Sequence, residues 1–315
     1  MNRSKIDIAG FTLVEMVVVI LISAILAAVV GLNISRPIES FFDVVRRAGL
    51  VDIAETALRR MTREARLSLP NSFRVNTGGT CTTNTGTPGV LCAVEFLRTL
   101  DGARYRVQLD GGGGGVVLNF SVNQQDGASS FDVLGQIDNA ASIQLGSGST
   151  DCINQVADCL VIFNTGQPST VADAIAAGVS TNAYLGASTL YDGNIATISS
   201  ASTTSLGFDN SNIGTWNFGF SSPQQRFVVV DTPVSFVCDP GNGVITRYSD
   251  YPIAAVQSTA PGGTSSLVAN NVTACTFTYD AGAPTRGALV TIAITISEEG
   301  EDVRLLEQIH VPNTP

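Results

Sequence analysis

The sequence predicts an α+β protein, one long N-terminal helix packed on an antiparallel, β-rich globular domain. Three observations lead there. An uncharged run of 19 residues, 16–34, follows a short polar leader, and an apolar stripe at spacings of three and four continues beyond it. After Pro70 the pattern changes to short alternating segments divided by Gly, Pro, Asn and Asp. Charged residues make up only 14% of the 315 against 44% hydrophobic, and there are six cysteines, a balance that suits an exported β-rich chain.

The first element is the leader, MNRSKIDIAG, polar with Arg3 and Lys5. Residues 11–34 then carry a single charge, Glu15. At 1.5 Å per residue the uncharged run covers about 28 Å, the depth of a bilayer's hydrocarbon core. An ordinary signal peptide has a shorter apolar stretch that ends in a small-residue cleavage site. Here the leader ends in Gly10, the apolar run begins directly after it, and a carboxylate sits inside. A carboxylate in lipid is costly and marks function. Cleavage after Gly10 would give Phe11 a positive amine one helical turn from Glu15. The amine of the same chain or of a neighbour would satisfy the carboxylate equally.

Pro37, after Gly31 and Asn33, predicts a kink or a loosened turn. Beyond it Phe41, Val44, Ala48, Val51, Ala54, Leu58, Met61 and Ala65 form one stripe, expected to be core against a sheet. Asp43–Arg47 and Glu55–Arg59 are i,i+4 pairs with the acid first. The helix is expected to end near Leu69, before Pro70-Asn71-Ser72. The organisation predicted is a leader at 1–10, a membrane and assembly helix at 11–36, its amphipathic half at 37–69, and a β-rich domain at 70–315.

Net charge is −10, and residues after 66 hold 8 basic against 20 acidic side chains. A nucleic-acid partner is therefore not expected. Arg59, Arg60, Arg63 and Arg66 are read as a solvated helix face, with a DNA-binding role as the minor alternative.

Candidate strands are 94–97, 104–109, 116–121, 160–163, 227–230, 234–237, 244–248, 276–279, 288–297 and 303–311. The last two make the clearest hairpin, closed by Glu298-Glu299-Gly300-Glu301-Asp302. Five glycines at 111–115 read as a flexible hairpin tip, and 165–225 as an irregular insertion or a low-contrast β region.

Cys81, Cys92, Cys152, Cys159, Cys238 and Cys275 point to disulfides in an exported chain. Six cysteines allow 15 pairings, so spacing leaves connectivity open. Nearest-neighbour pairing would join 81 to 92, 152 to 159 and 238 to 275. A metal site is the weaker reading, since there is no CxxC pair and His310 is the sole histidine. The turn Asp239-Pro240-Gly241-Asn242-Gly243 offers oxygens to Ca²⁺ but lacks EF-hand spacing. With no G-x-S-x-G or H-E-x-x-H motif, neither enzyme activity nor a cofactor or metal is expected.

Gly10-Phe11-Thr12-Leu13-Val14-Glu15 before an apolar run resembles the class III signal of type IV prepilins and type II secretion pseudopilins. The resemblance implies that a prepilin peptidase cuts between Gly10 and Phe11 and methylates the Phe11 amine, and that Glu15 is the assembly glutamate. It also implies a single pass through the inner membrane with the C-terminal domain in the periplasm. The chain then enters a pilus or pseudopilus beside other major and minor pilins. Arg59-Arg60-Met61-Thr62-Arg63-Glu64, Leu69-Pro70-Asn71-Ser72, Val94-Glu95-Phe96, Asn270-Asn271-Val272-Thr273-Ala274-Cys275 and the closing Glu307-Gln308-Ile309-His310-Val311-Pro312-Asn313 are similar to minor prepilins of the mannose-sensitive haemagglutinin (MSHA) pilus system. Residues 100–230 carry none of this likeness. J-type minor pseudopilins of type II secretion are the nearest related class, so a secretion pseudopilin and a pilus-associated adhesin stand beside the minor-pilin reading.

Overall fold

The computed structural model describes residues 10, 12–87, 89–120, 129–186, 190–209, 218–282, 287–311 and 313–314, the side chains of 32–39 and 129 excepted. The fold is α+β: an apolar N-terminal helix and a globular domain of antiparallel strands. Two compact units divide at Leu50/Val51.

The first unit holds most of helix α1 (Leu13–Ala65). The helical assignment continues through Pro37, where the sequence predicts a loosened turn. Asp43 pairs with Arg46 at 3.1 Å rather than with Arg47.

The second unit receives the end of α1. Of the predicted core stripe, Ala54, Leu58, Met61 and Ala65 are buried, whereas Phe41, Val44, Ala48 and Val51 are exposed. Periodicity defines an apolar face but not how far along the helix that face is covered. The helix stops at Ala65, short of Leu69, because the chain peels away to pair with a strand. Ser68 bridges Arg98, and the Leu69 amide donates to the Leu97 carbonyl at 2.8 Å. Arg60 does not lie on a merely solvated face. It pairs with Glu64 and donates to Ser266 Oγ at 3.0 Å, while Glu64 accepts from Arg247 at 2.6 Å.

The strands are β1 (Arg74–Val75), β2 (Thr80–Asn84), β3 (Cys92–Tyr105), β4 (Ser129–Leu134), β5 (Cys159–Ile162), β6 (Ile195–Ala201) and β7 (Ser205–Asp209). After them come β8 (Arg226–Asp239), β9 (Val244–Ser249), β10 (Thr264–Ala269), β11 (Val272–Asp280), β12 (Ala288–Glu298) and β13 (Glu301–Val311). A short helix, α2 (Val171–Ala177), is capped by Thr170, whose side chain accepts from the Asp173 amide.

One sheet has the order β13-β12-β11-β2. The other runs β1-β3-β4-β7-β6-β5-β8-β9-β10, and β3 also pairs with β8. The path β3-β4-β7-β6-β5-β8 therefore returns to β3 and closes a six-stranded antiparallel barrel. Its interior is filled by Tyr105, Phe131, Ile198, Phe208, Phe218 and Phe227. Register shifts at Arg98/Thr99 and Thr99/Asp101 mark where β3 leaves the open sheet and curves into the barrel. The described residues of 165–225 thus supply β6 and β7 of this barrel, the low-contrast β region rather than the irregular insertion.

Strand β8 merges two segments that the sequence separates at Pro233. On the edge away from β3, β5 pairs with residues 227–230 and β9 with 235–239. Pro233 falls between them, where no partner strand needs an amide donor. Residues 104–109 and 116–121 are corrections of a different kind. Only Arg104 and Tyr105 of the first lie in a strand, and 116–120 is irregular, residue 121 lying outside the described set. The Val116 amide donates to the Asp132 carboxylate at 2.9 Å, so a side chain takes the place of a ladder partner. The glycine run wraps Asp110, whose Oδ1 accepts from the Gly112 and Gly114 amides. The last hairpin turns on two residues rather than five. Glu298 pairs with Glu301, and Glu299 and Gly300 have φ of 48° and 87°, the primed turn that matches strand twist.

The three disulfides are Cys81–Cys92, Cys152–Cys159 and Cys238–Cys275, with Cα separations of 5.5, 5.0 and 6.4 Å. The first joins β2 to β3 and the third joins β8 to β11. Because β3 pairs with β8 and β2 with β11, two adjacent staples tie the small sheet to the large one.

Glu95 and Asp158 are among the carboxylates buried in this body. Glu95, 1% exposed, accepts from Arg74 Nε at 2.9 Å and from the Tyr251 hydroxyl at 3.1 Å. Burial raises its pKa, and Arg74, with the hydrogen bonds from Arg74 and Tyr251, pulls it back. Arg74 also donates to the Ala254 and Ala255 carbonyls and lies 3.6 Å over the Tyr184 ring. Asp158, 4% exposed, accepts the Gln144 amide at 2.9 Å. Burial pushes its carboxyl from 3.8 up to about 6, opposed by that bond and by Arg98. Between those values the folded chain keeps a proton that the unfolded chain has lost. The group's stabilising contribution is therefore full below the unfolded value and is lost as pH rises through about 6. Asp158→Asn, whose Oδ1 accepts the same amide, is expected to melt above wild type at about pH 7.5 and to converge with it toward about pH 4. Identical melting at both pH values would show that the carboxyl is not desolvated.

Candidate functional site

The N-terminal segment brings together the residues that the sequence singles out for chemistry. Gly10 is exposed ahead of the helix, and Phe11 lies outside the described residues. Thr12 occupies the position before Leu13, the first helical residue. The Glu15 carboxylate accepts from the Thr12 amide and hydroxyl, both at 3.2 Å, and the Thr12 hydroxyl accepts from the Glu15 amide at 3.3 Å. This reciprocal arrangement is a capping box, which satisfies two donors that a helix start leaves orphaned. The negative charge also sits at the positive end of the helix dipole. Thr12 is a residue the sequence reading missed, although Thr-x-x-Glu before an apolar run is its signature.

From Leu13 to Gly31 the helix is exposed along its whole length and carries no charge except Glu15. By length and composition it can cross a membrane once. A prokaryotic N-terminal methylation motif matches residues 7–31. The N-terminus is that of a type IV pilin-like protein. The matched stretch takes in Gly10, Phe11 and Glu15 and ends with the exposed apolar helix; the barrel and both sheets lie outside it. No curated protein and no solved structure matches the chain. A motif of this kind implies processing by a prepilin peptidase and assembly with other pilins. All six cysteines belong to the second unit, where they are bonded to one another.

Proposed function

We propose that the chain is a minor type IV pilin of the MSHA kind, similar to MshO, that takes part in initiating or assembling a pilus fibre. The reading rests above all on Glu15, a lone carboxylate four residues after the cleavage position in an exposed apolar helix. In lipid an unpaired carboxylate is disfavoured by about 2.5–3.5 kcal/mol on insertion scales. In the precursor Thr12 engages it. After cleavage the new Phe11 amine of an adjacent subunit is the stronger partner, so the pairing favours the assembled state and one axial register. The body, with its disulfides, belongs in the periplasm and then on the fibre, and its role is structural rather than enzymatic, with no cofactor. A pseudopilin of type II secretion shares these requirements. The barrel favours a second reading, a pilus-associated adhesin, because it is a complete folded module added to the helix-and-sheet half. A glycan or surface-binding assay on whole fibres tests it.

The main reading is tested in cells. Gly10→Arg is expected to leave the leader attached and the protein in the membrane. Glu15→Ala is expected to be processed normally yet to enter fibres poorly. Immunoblots of processing and a count of surface fibres decide both. Normal cleavage of Gly10→Arg removes the basis of the reading, and normal fibre incorporation of Glu15→Ala reduces that residue to a passenger.

A further inference from the structure

On the outer face of the barrel two arginines stand side by side without a counter-ion. Residues after 66 hold 20 acidic side chains against 8 basic ones, so carboxylates are plentiful. Four of the arginines take one each: Arg74 holds Glu95, Arg98 holds Asp231, Arg106 holds Asp132 and Arg247 holds Glu64. Arg104 and Arg226 are exposed and make no ion pair among the described residues. The ladder sets Arg104 of β3 directly opposite Arg226 of β8, a pairing that brings Cα atoms to about 4.5–5.5 Å. Both side chains take the outer face, because Tyr105 and Phe227, one position on, fill the interior. Like charges directly opposite each other destabilise a sheet. Asp132 of β4 does not relieve them, since it is engaged by Arg106 and by the Val116 amide.

The flanks of this pair are apolar and aromatic. On one side β4 sets Leu134, 40% exposed, opposite Arg104. On the other, β5 ends at Ile162 opposite Phe227, and Phe163 follows at the level of Arg226. Phe163 has a φ of 53°, a left-handed backbone that bulky residues rarely adopt, and strain of this kind concentrates at ligand sites. Its ring meets that of Phe220, 49% exposed, edge-on at 6.2 Å. Phe163 and Arg226 line one cavity of about 90 Å³ with Leu69, Val161, Val228 and Thr314. A small apolar recess, an aromatic pair and two unpaired guanidinium groups therefore meet at one corner of the barrel. Apolar lining with a few convergent polar groups is the usual make-up of a ligand site.

We propose that this corner binds a carboxylated sugar at the end of a glycan, with Arg104 and Arg226 clasping the carboxylate and the aromatic pair receiving the apolar face of the ring. This rests on the reading of the barrel as a pilus-associated adhesin, and it names the class of ligand. Guanidinium groups match a carboxylate in charge and in the fork of their donors. One carboxylate needs only these two groups. A nucleic acid needs a basic track, and the acidic body around the site repels a polyanion. The cavity beside Arg226 admits a small apolar substituent, the size of a methyl or acetyl group, rather than a second ring.

Ligand-observed NMR titrations of the full-length chain in detergent, with sialyllactose, a glucuronic-acid disaccharide and neutral lactose, test this. At least one acidic sugar is expected to bind about tenfold tighter than lactose, the margin of a charge-assisted hydrogen bond, and to weaken as salt rises. Arg104→Gln and Arg226→Gln are each expected to remove that margin yet to melt at or above wild type, because each relieves a like-charge pair. Phe220→Ala is expected to weaken acidic and neutral sugars alike. Equal binding of acidic and neutral sugars overturns the proposal and leaves the adhesin reading standing. Binding of none of them overturns the proposal, and if whole fibres bind no glycan either, the adhesin reading falls with it. A lower melting temperature in either arginine variant means that a carboxylate of the chain already holds that side chain, which also overturns the proposal. So does a DNA oligonucleotide that binds as tightly as the acidic sugars, the mark of a general anion site.

Discussion

Glu95→Ala is expected to lower the stability of the body by about 3–5 kcal/mol, the cost of stranding one partner of a buried ion pair. The reason is the company the carboxylate keeps. It sits on β3 at 1% exposure and collects Arg74 from β1 and the Tyr251 hydroxyl, while Arg74 also holds the Ala254 and Ala255 carbonyls. Removing the carboxylate leaves a guanidinium at 20% side-chain exposure with neutral partners only. At about 2–4 °C per kcal/mol for a domain of this size, the melting temperature should drop by about 6–20 °C. Arg74→Ala should also be damaging. The double variant should lose clearly less than the sum, because the second substitution removes the charge that the first left unpaired. Additive losses would mean that the two side chains act separately.

The second large effect concerns the staples between the sheets. Replacing Cys238 and Cys275 together by Ser is expected to cost about 2–5 kcal/mol, as for native disulfides in small exported domains. The bond spans a sequence separation of 37, against 11 for Cys81–Cys92 and 7 for Cys152–Cys159. In the loop-entropy account the larger loop constrains the unfolded chain more. Melting of the three paired Cys→Ser variants should therefore rank 238–275 as most damaging and 152–159 as least. The reverse order would place the stabilisation in the folded state. Tryptic peptide mapping without reduction should recover residues 227–247 linked to residues 248–286, and peptides 75–98 and 107–226 each lacking the two hydrogens that reduction restores, because their bonds are internal; six free thiols in protein taken from the periplasm would overturn both the pairing and the ranking.

How much of this was legible depends on contrast. The membrane-length run with its single carboxylate announces itself because lipid admits few exceptions. The β12–β13 hairpin reads from alternation of Val290, Ile292, Ile294 and Ile296 with smaller or more polar neighbours such as Thr291, Ala293 and Thr295, since one face is more deeply buried than the other. The barrel was not legible. Its strands include IATISSA and SLGFD, too short and too rich in Ser, Thr and Gly to stand out from loops. Their identity comes from closure, a long-range property that no local window carries. Pro233 divided one strand into two because the gap between β5 and β9 that admits it is likewise set at a distance. The capping box was the opposite case. Thr12 and Glu15 carry a local signature, overlooked because the carboxylate was read only against a Phe11 amine, of its own chain or of a neighbour.

The shared strands have a mechanical meaning. β3 and β8 run without interruption from the open sheet into the barrel, paired along nearly their whole length from Cys92–Cys238 to Arg104–Arg226. The barrel thus has no flexible tether, and a pull on it along those strands meets the whole ladder in shear, with every rung strained at once. A peeling load would break rungs one at a time. At the far end of the ladder Cys92 and Cys238 face each other, each covalently bonded to the second sheet, so force leaving the rungs passes into covalent bonds. A body built this way withstands tension on its barrel by fracturing late and all together, the behaviour of a rivet rather than a hinge.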